Sequence, residues 1–322
     1  ILVNLEHRGG TGLEKNTGDG AGILFQVPHH FFRKEAQKCG QILPAEGDYG
    51  VAMLFFPQDD KGIEDARRVF EEGCAEAGVP LLFWREVPVD PHDLGETARA
   101  CMPTILQAFL GRPDDTPAGD AFERRLYVCR RTIEKKADAE FALRDKIFYV
   151  CSMSSRTIVY KGMLVATQMR RFFIDLNDAA VKTAVALVHS RYSTNTTPSW
   201  ERAHPNRFII HNGEINTLKG NVNWIRAREP NLYSPVLQHD LERVMPIINR
   251  EGSDSAILDN VLEFLVMNGR PLTRAASMLL PEPWDHNDNL SEERRAYDAY
   301  QSMLMEPWDG PAAILFSDGE QV

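Results

Sequence analysis

The 322-residue sequence has a globular composition, with 43% hydrophobic residues, 25% charged residues and a formal net charge of −10. This acidic balance argues against a nucleic acid as partner, because phosphate backbones bind basic surfaces. No stretch approaches the ~18 apolar residues of a membrane span, so no membrane partner is predicted. The five cysteines are odd in number, scattered and without a CxxC pair, which predicts free thiols and a cytoplasmic location.

The first part of the chain predicts a glycine-rich loop followed by strands and one clear helix. Apolar residues recur at helical spacing up to Ala77, and Gly78 and Pro80 then stop the helix. The loop fits neither GxGxxG nor GxxxxGK[ST], so tight turns and close backbone approach are favoured over phosphate binding. The predicted elements are the loop over 9–22, strands over 23–27, 51–56 and 81–84, and the helix over 63–77.

The rest of the chain continues this alternation and ends in helices and a strand. Strands are predicted over 126–129, 147–153, 157–160, 181–189, 207–211 and 312–316, and helices over 255–268 and 291–305. The second and third of these strands form a predicted hairpin through Ser154 and Ser155 that ends near Gly162. Strands with hairpin links, and helices before and after them, predict an α+β fold with stacked sheets.

The densest polar stretch, 189–217, follows two predicted strand ends, where side chains for binding are often presented. Arg191 is a guanidinium fork that can bind a carboxylate through two hydrogen bonds, and Asp254 can hold an ammonium group. Asn212 and the backbone N–H of Gly213 form a two-donor set suited to an oxyanion. These groups suit an amino-acid substrate, although Arg191 taken alone is also open to a structural role beside a carboxylate.

Two further kinds of site were weighed against this one. His189, His204 and His211 lack the i, i+4 spacing and the carboxylate partner of a zinc site, so packing or lining roles are predicted and no metal is expected. A nucleophile is not evident, because no Gly-x-Ser-x-Gly elbow occurs and the cysteines lie outside polar surroundings.

Four ordered motifs make the chain similar to one family. They are 5–12 with 19–22, then 189–195, 211–216 and 252–255. These segments resemble the class II, N-terminal-nucleophile glutamine amidotransferase domain of the glutamate synthase large subunit. Other class II amidotransferases place the first two motifs closer together, whereas this chain has a long insertion, roughly 30–180, to which no chemistry is assigned.

The resemblance implies a fold and a role for each matching residue. The fold is a four-layer αββα sandwich of two antiparallel sheets. Arg191 would bind the α-carboxylate of glutamine and Asp254 its α-amino group. Asn212 and Gly213 would form the oxyanion hole. The other residues carried over are Arg8, which would brace the catalytic end, and Thr194 and Glu214 as substrate-binding residues.

The resemblance also implies a nucleophile that this sequence lacks. The family uses an N-terminal cysteine whose own α-amino group is the base. The sequence begins at Ile1 without Met, so we expect one amidotransferase domain over 1–322 lacking its cysteine strand and its C-terminal end, and unable to hydrolyse glutamine as given. A glutamine-binding regulatory domain without catalysis, or another class II amidotransferase, is the alternative.

The resemblance places the remaining chemistry outside these residues. Ammonia from L-glutamine would pass to synthase domains of the same polypeptide and be added to 2-oxoglutarate with reduction to glutamate. FMN, an iron–sulfur cluster and NAD(P)H or ferredoxin are implied for that second site, and none for this chain. A small reductase subunit is left open as a further partner.

Overall fold

The computed structural model describes residues 14–141, 148–191, 197–285 and 289–322. Its strands are β1 (Ala21–Gln26), β2 (Tyr49–Phe56), β3 (Leu81–Glu86), β4 (Thr104–Gly111), β5 (Tyr149–Ser154), β6 (Thr157–Gly162), β7 (Ala186–His189), β8 (Ile209–Gly213) and β9 (Ala312–Phe316). Its α-helices are α1 (His29–Lys38), α2 (Asp60–Ala77), α3 (Glu96–Ala100), α4 (Asp120–Phe141), α5 (Met169–Phe172), α6 (Leu218–Arg228), α7 (Leu241–Val244), α8 (Asp254–Met267), α9 (Leu272–Leu279) and α10 (Glu292–Leu304).

The strands form antiparallel sheets in the orders β3-β4-β2-β5 and β6-β1-β7, with β8-β9 as a further pair beside β7. The two larger sheets pack face to face across one apolar core, which includes Leu24 and Ile158 from one sheet and Met53 and Phe109 from the other. Alternate residues of a strand point to opposite faces, so β2 is buried on both sides. The insertion expected over 30–180 supplies the whole four-stranded sheet.

Helices cover the outer faces of this sandwich. Leu54 and Ala108 of the four-stranded sheet pack under α2 and α4. A separate core joins β8 and β9 to α8 and α9 through residues such as Ile209 and Leu258. The α+β class and the four-layer arrangement of two antiparallel sheets with helices are confirmed. Within the described ranges, no helix is long and apolar enough to cross a bilayer.

Most predicted elements are present, but the strand predicted over 126–129 is wrong. These four residues lie inside the 22-residue helix α4. Leu126 and Cys129 face the core beneath the four-stranded sheet, whereas Tyr127 and Val128 face the core around α8. Because α4 is buried on two sides, its apolar residues are consecutive, and a short consecutive run does not distinguish a helix from a strand.

The hairpin predicted over 147–162 is also wrong in its pairing. The chain does turn after β5, where the Ser154 hydroxyl accepts hydrogen bonds from the N–H groups of Arg156 at 2.9 Å and Thr157 at 3.1 Å. However, β5 pairs with β2 and β6 pairs with β1, so the turn connects the two sheets. Local turn chemistry reverses the chain direction without selecting the strand partner. Strand β4, at an interior position of its sheet, was not predicted.

Candidate active site

The glycines of the first motif bring it against the second. Gly22 pairs with His189 across β1 and β7, and a Cβ on Gly22 would lie 2.3 Å from the carbonyl oxygen of His204. Gly20 has φ +132°, and a Cβ there would lie 3.1 Å from the Cβ of Ala203 and 3.5 Å from the carbonyl carbon of Arg191. The predicted role in close backbone approach is confirmed for Gly20 and Gly22, because side chains there would separate these segments. The part of the predicted loop over 9–13 lies outside the described residues.

A pair of histidines lies behind the end of β7. The rings of His189 and His204 are stacked obliquely with centroids 4.7 Å apart. Burial lowers the pKa of both imidazoles, for His204 to well below the ordinary value, so both are neutral at pH 7. His189 Nδ1 lies 3.2 Å from the Arg191 backbone N, and the neighbouring Asn212 side chain opposes the lowering of the His189 pKa. The second and third motifs are therefore in direct contact.

The end of β8 presents Asn212 and Gly213, both of them exposed. Gly213 has φ +123°, and a Cβ on it would lie 2.0 Å from the carbonyl oxygen of Pro311. Glycine is thus required at this position by packing against β9, whatever its chemical role. The Asn212 side chain is the more informative target, since it can be changed without this clash.

The third and fourth motifs are joined at the N-terminus of α8. Ser253 caps the helix by accepting a hydrogen bond from Ala256 N, and Asp254 is its first residue. Asp254 Oδ1 accepts from the Ser255 hydroxyl at 3.0 Å, and Asp254 Oδ2 accepts from Ile215 N at 3.2 Å. His211 Nδ1 lies 2.7 Å from Ser255 Oγ, within hydrogen-bonding distance. Asp254 is thereby fixed beside β8, the strand that carries Asn212.

A continuous set of contacts therefore links all four motifs at one end of β7 and β8. Arg191, two residues after β7, and Glu214, directly after β8, are both exposed. Arg8 and Thr194 lie outside the described residues, so their predicted roles are not located. Sequence reasoning treated His189 and His211 only as packing or lining residues. The available signal was their position in the sequence, since His189 lies two residues before Arg191 and His211 lies directly before Asn212.

The five cysteines are free thiols. The Sγ atoms of Cys74 and Cys129 lie 3.8 Å apart between α2 and α4. Burial raises the pKa of Cys151 to about 12 and also raises that of Cys101, which disfavours the nucleophilic thiolate. Cys39 is exposed after α1. Among the residues that the structure describes, no group of three or more His, Cys, Asp or Glu side chains could hold a metal ion.

Comparison with known families agrees with this arrangement of motifs. The class-II glutamine amidotransferases match residues 1–322 of the chain. The chain belongs to this family. The resemblance on which the motif assignment rested is confirmed across its whole length.

Several glutamate synthases are similar to the chain. The glutamate synthase (NADPH) large chain of Bacillus subtilis is 48% identical over 322 residues, which cover 100% of this chain and 21% of that protein. Glutamate synthase (NADH) of Schizosaccharomyces pombe is 43% identical, with 99% of this chain and 15% of that protein covered. Ferredoxin-dependent glutamate synthase 1 of Arabidopsis thaliana is 41% identical, with 99% and 20% covered. The chain thus spans about a fifth or less of these relatives.

Proposed function

We propose that this domain hydrolyses L-glutamine to glutamate and ammonia as the glutaminase part of a glutamate synthase. The observation that carries the proposal is the contact chain from Gly22 through His189 and Asn212 to Asp254. It gathers a cation, an anion and an amide at the ends of neighbouring elements. Those are the groups needed to hold both ends of an amino acid and to stabilise a charged oxygen.

Each residue has a defined part in this proposal. The Arg191 guanidinium binds the α-carboxylate of glutamine, and the Asp254 carboxylate binds the α-ammonium group. The Asn212 side chain and the Gly213 N–H donate to the oxyanion of the tetrahedral intermediate. Arg8 braces the catalytic end. The further substrate-binding residues are Thr194 and Glu214.

The proposed nucleophile is an N-terminal cysteine that is not among the five in this sequence. Its α-amino group takes the thiol proton, the thiolate attacks the glutamine side-chain amide, and that proton passes to the nitrogen, which leaves as ammonia. Water then hydrolyses the resulting thioester to glutamate and restores the thiol. The raised pKa values of Cys101 and Cys151 support a nucleophile from outside these residues. That the 322 residues alone do not hydrolyse glutamine remains a prediction.

The rest of the proposed activity belongs to the remainder of the polypeptide. Synthase domains would add the ammonia to 2-oxoglutarate with FMN, an iron–sulfur cluster and NAD(P)H or ferredoxin, and a small reductase subunit is a further candidate partner. The described residues do not fit an iron–sulfur cluster, which needs a set of cysteine ligands that they do not bring together. A cytoplasmic location stays a prediction.

The first test is labelling of the full-length protein with an electrophilic glutamine analogue, read by intact mass. We expect a single adduct on the N-terminal cysteine that excess glutamine prevents. The 322-residue chain should remain unlabelled and is the matched control. Glutamine binding without an adduct would contradict the proposal and favour a regulatory, glutamine-sensing domain.

Substituting Arg191 tests the binding half of the site. Arg191→Lys keeps the charge but cannot donate two parallel hydrogen bonds to the carboxylate, so the Kd for glutamine should rise by well over tenfold. Losing a charge-assisted pair that the bound ligand buries costs ~2–5 kcal/mol. Isothermal titration with the 322-residue chain, which does not contain the proposed N-terminal cysteine, would measure this. The exposed Arg250→Lys is the matched control and should bind as the parent does. Unchanged affinity in the Arg191 variant would remove this residue from the site.

A further inference from the structure

We propose that Asp259 is a positioning residue for the oxyanion hole, acting through the backbone of β8. This inference rests on the proposed function and extends it to a residue outside the four motifs. Asp259 lies in α8, five residues after Asp254, and its side chain is completely buried. It contacts the strand that carries Asn212 and not the proposed ligand, so its role is to hold that strand.

The Asp259 carboxylate binds three consecutive backbone N–H groups at the start of β8. Oδ1 accepts from Phe208 N at 2.8 Å and from Ile209 N at 3.1 Å. Oδ2 accepts from Arg207 N at 3.1 Å. A carboxylate with several charge-assisted bonds from one backbone segment fixes both its position and its direction.

The same helix also holds the other end of β8. Asp254 binds Ile215 N beyond the strand, and Ser255 binds His211 within it. Asp254 and Asp259 are separated by about 7.5 Å along the helix axis, at 1.5 Å per residue. The helix therefore clamps β8 on both sides of Asn212, so that a shift at the start of the strand changes where its end lies.

The electrostatics show that this carboxylate is costly to bury. Burial raises the pKa of Asp259 to about 6, with a further rise from Glu263, while Arg207 and the backbone N–H groups oppose it. Beyond these, α4 contributes Arg130, which pairs with Glu263, and Glu134, which pairs with Arg207. Its three hydrogen bonds from backbone N–H groups offset this cost of burial. An apolar side chain of the same size would form none of them.

The test is glutaminase kinetics of Asp259→Asn in the full-length protein. An amide has one acceptor oxygen, and its NH2 faces backbone donors, so the start of β8 must move. We expect kcat to fall about 10- to 100-fold, because misplacement by about 1 Å can cost ~10²-fold. KM should stay within about threefold, since Arg191 lies on the β7 side and Asp254 keeps its own contacts. Rates are counted per site that reacts with an electrophilic glutamine analogue.

Glu123→Gln is the matched control. Glu123 is also a buried carboxylate, and it binds Ser155 N at 2.6 Å and the Ser154 hydroxyl at 2.8 Å, at the turn between β5 and β6. The Glu123→Gln variant should be less stable than the parent protein but should have the same kcat per reactive site. Equal loss of kcat in both variants, or parent kcat in Asp259→Asn, would overturn the inference.

A second variant covers the case in which Asp259→Asn does not fold. Asp259→Glu keeps the charge and displaces the carboxylate by one methylene, so we expect lower kcat at unchanged KM. Parent kcat in this folded variant would also overturn the inference. If the parent protein itself does not hydrolyse glutamine, the proposed function fails instead, and the two failures are thereby distinguished.

Discussion

Replacing Asn212 by alanine is expected to lower kcat for glutamine hydrolysis by about 10²–10³-fold in the full-length protein. The amide would donate to an oxygen that becomes negatively charged only in the transition state, so glutamine binding should be nearly unchanged. The Asn212 side chain is exposed at the end of β8, so it is accessible to the substrate. Steady-state kinetics and glutamine titration together measure the two effects.

The control for this prediction is Asn231→Ala, which removes an exposed asparagine after α6 and should leave both quantities unchanged. Equal loss of binding and turnover in the Asn212 variant would contradict the oxyanion assignment. It would show that Asn212 contacts ground-state glutamine. Gly213 does not offer an equivalent test, because any side chain at this position would clash with Pro311. A loss of kcat in such a variant would then reflect disturbed packing as well as lost catalysis.

Replacing Arg130 by methionine should destabilise the domain by about 3–5 kcal/mol, because it leaves a buried carboxylate without its cation. Arg130 is 1% exposed and joins α4 to α8 through Glu134 and Glu263. Burial tends to raise the pKa of Glu134, but Arg130, Arg207 and Arg131 outweigh it and lower the value to about 2. The stability from this lowered pKa is present above about pH 4.5 and is lost as the pH falls towards 2.

Urea unfolding of the variant measures this loss. Arg68→Met is the matched control, since Arg68 is 46% exposed in its ion pair with Glu72 and such surface pairs contribute ~0–1 kcal/mol. Adding Glu263→Gln to the Arg130 variant should recover part of the lost stability by removing the unpaired charge. A loss no larger than that of Arg68→Met would show that the buried network does not stabilise the domain.

Much of the local structure was accessible from residue patterns. The spacing of Phe70, Cys74 and Ala77 predicts α2, and Gly78 ends it in the left-handed conformation that glycine adopts readily. The predicted helices over 255–268 and 291–305 and the strand over 312–316 agree with α8, α10 and β9 to within a residue. The motif order identified the family. Such features depend on residues close together in the chain, so a linear pattern contains them.

The remaining features depend on contacts between distant segments. The apolar run in α4 is consecutive because two separate cores bury that helix, and β5 leaves its neighbour β6 because β2 offers it a partner. Asp259 binds the backbone at the start of β8, but in the sequence it is only a charged residue within an apolar helix. Local pattern sets which residues can form an element and which chemistry they carry. Only the packing of segments that are far apart in the sequence determines which faces are buried, which strands pair and how α8 holds β8. These features form when such segments come together and exclude water.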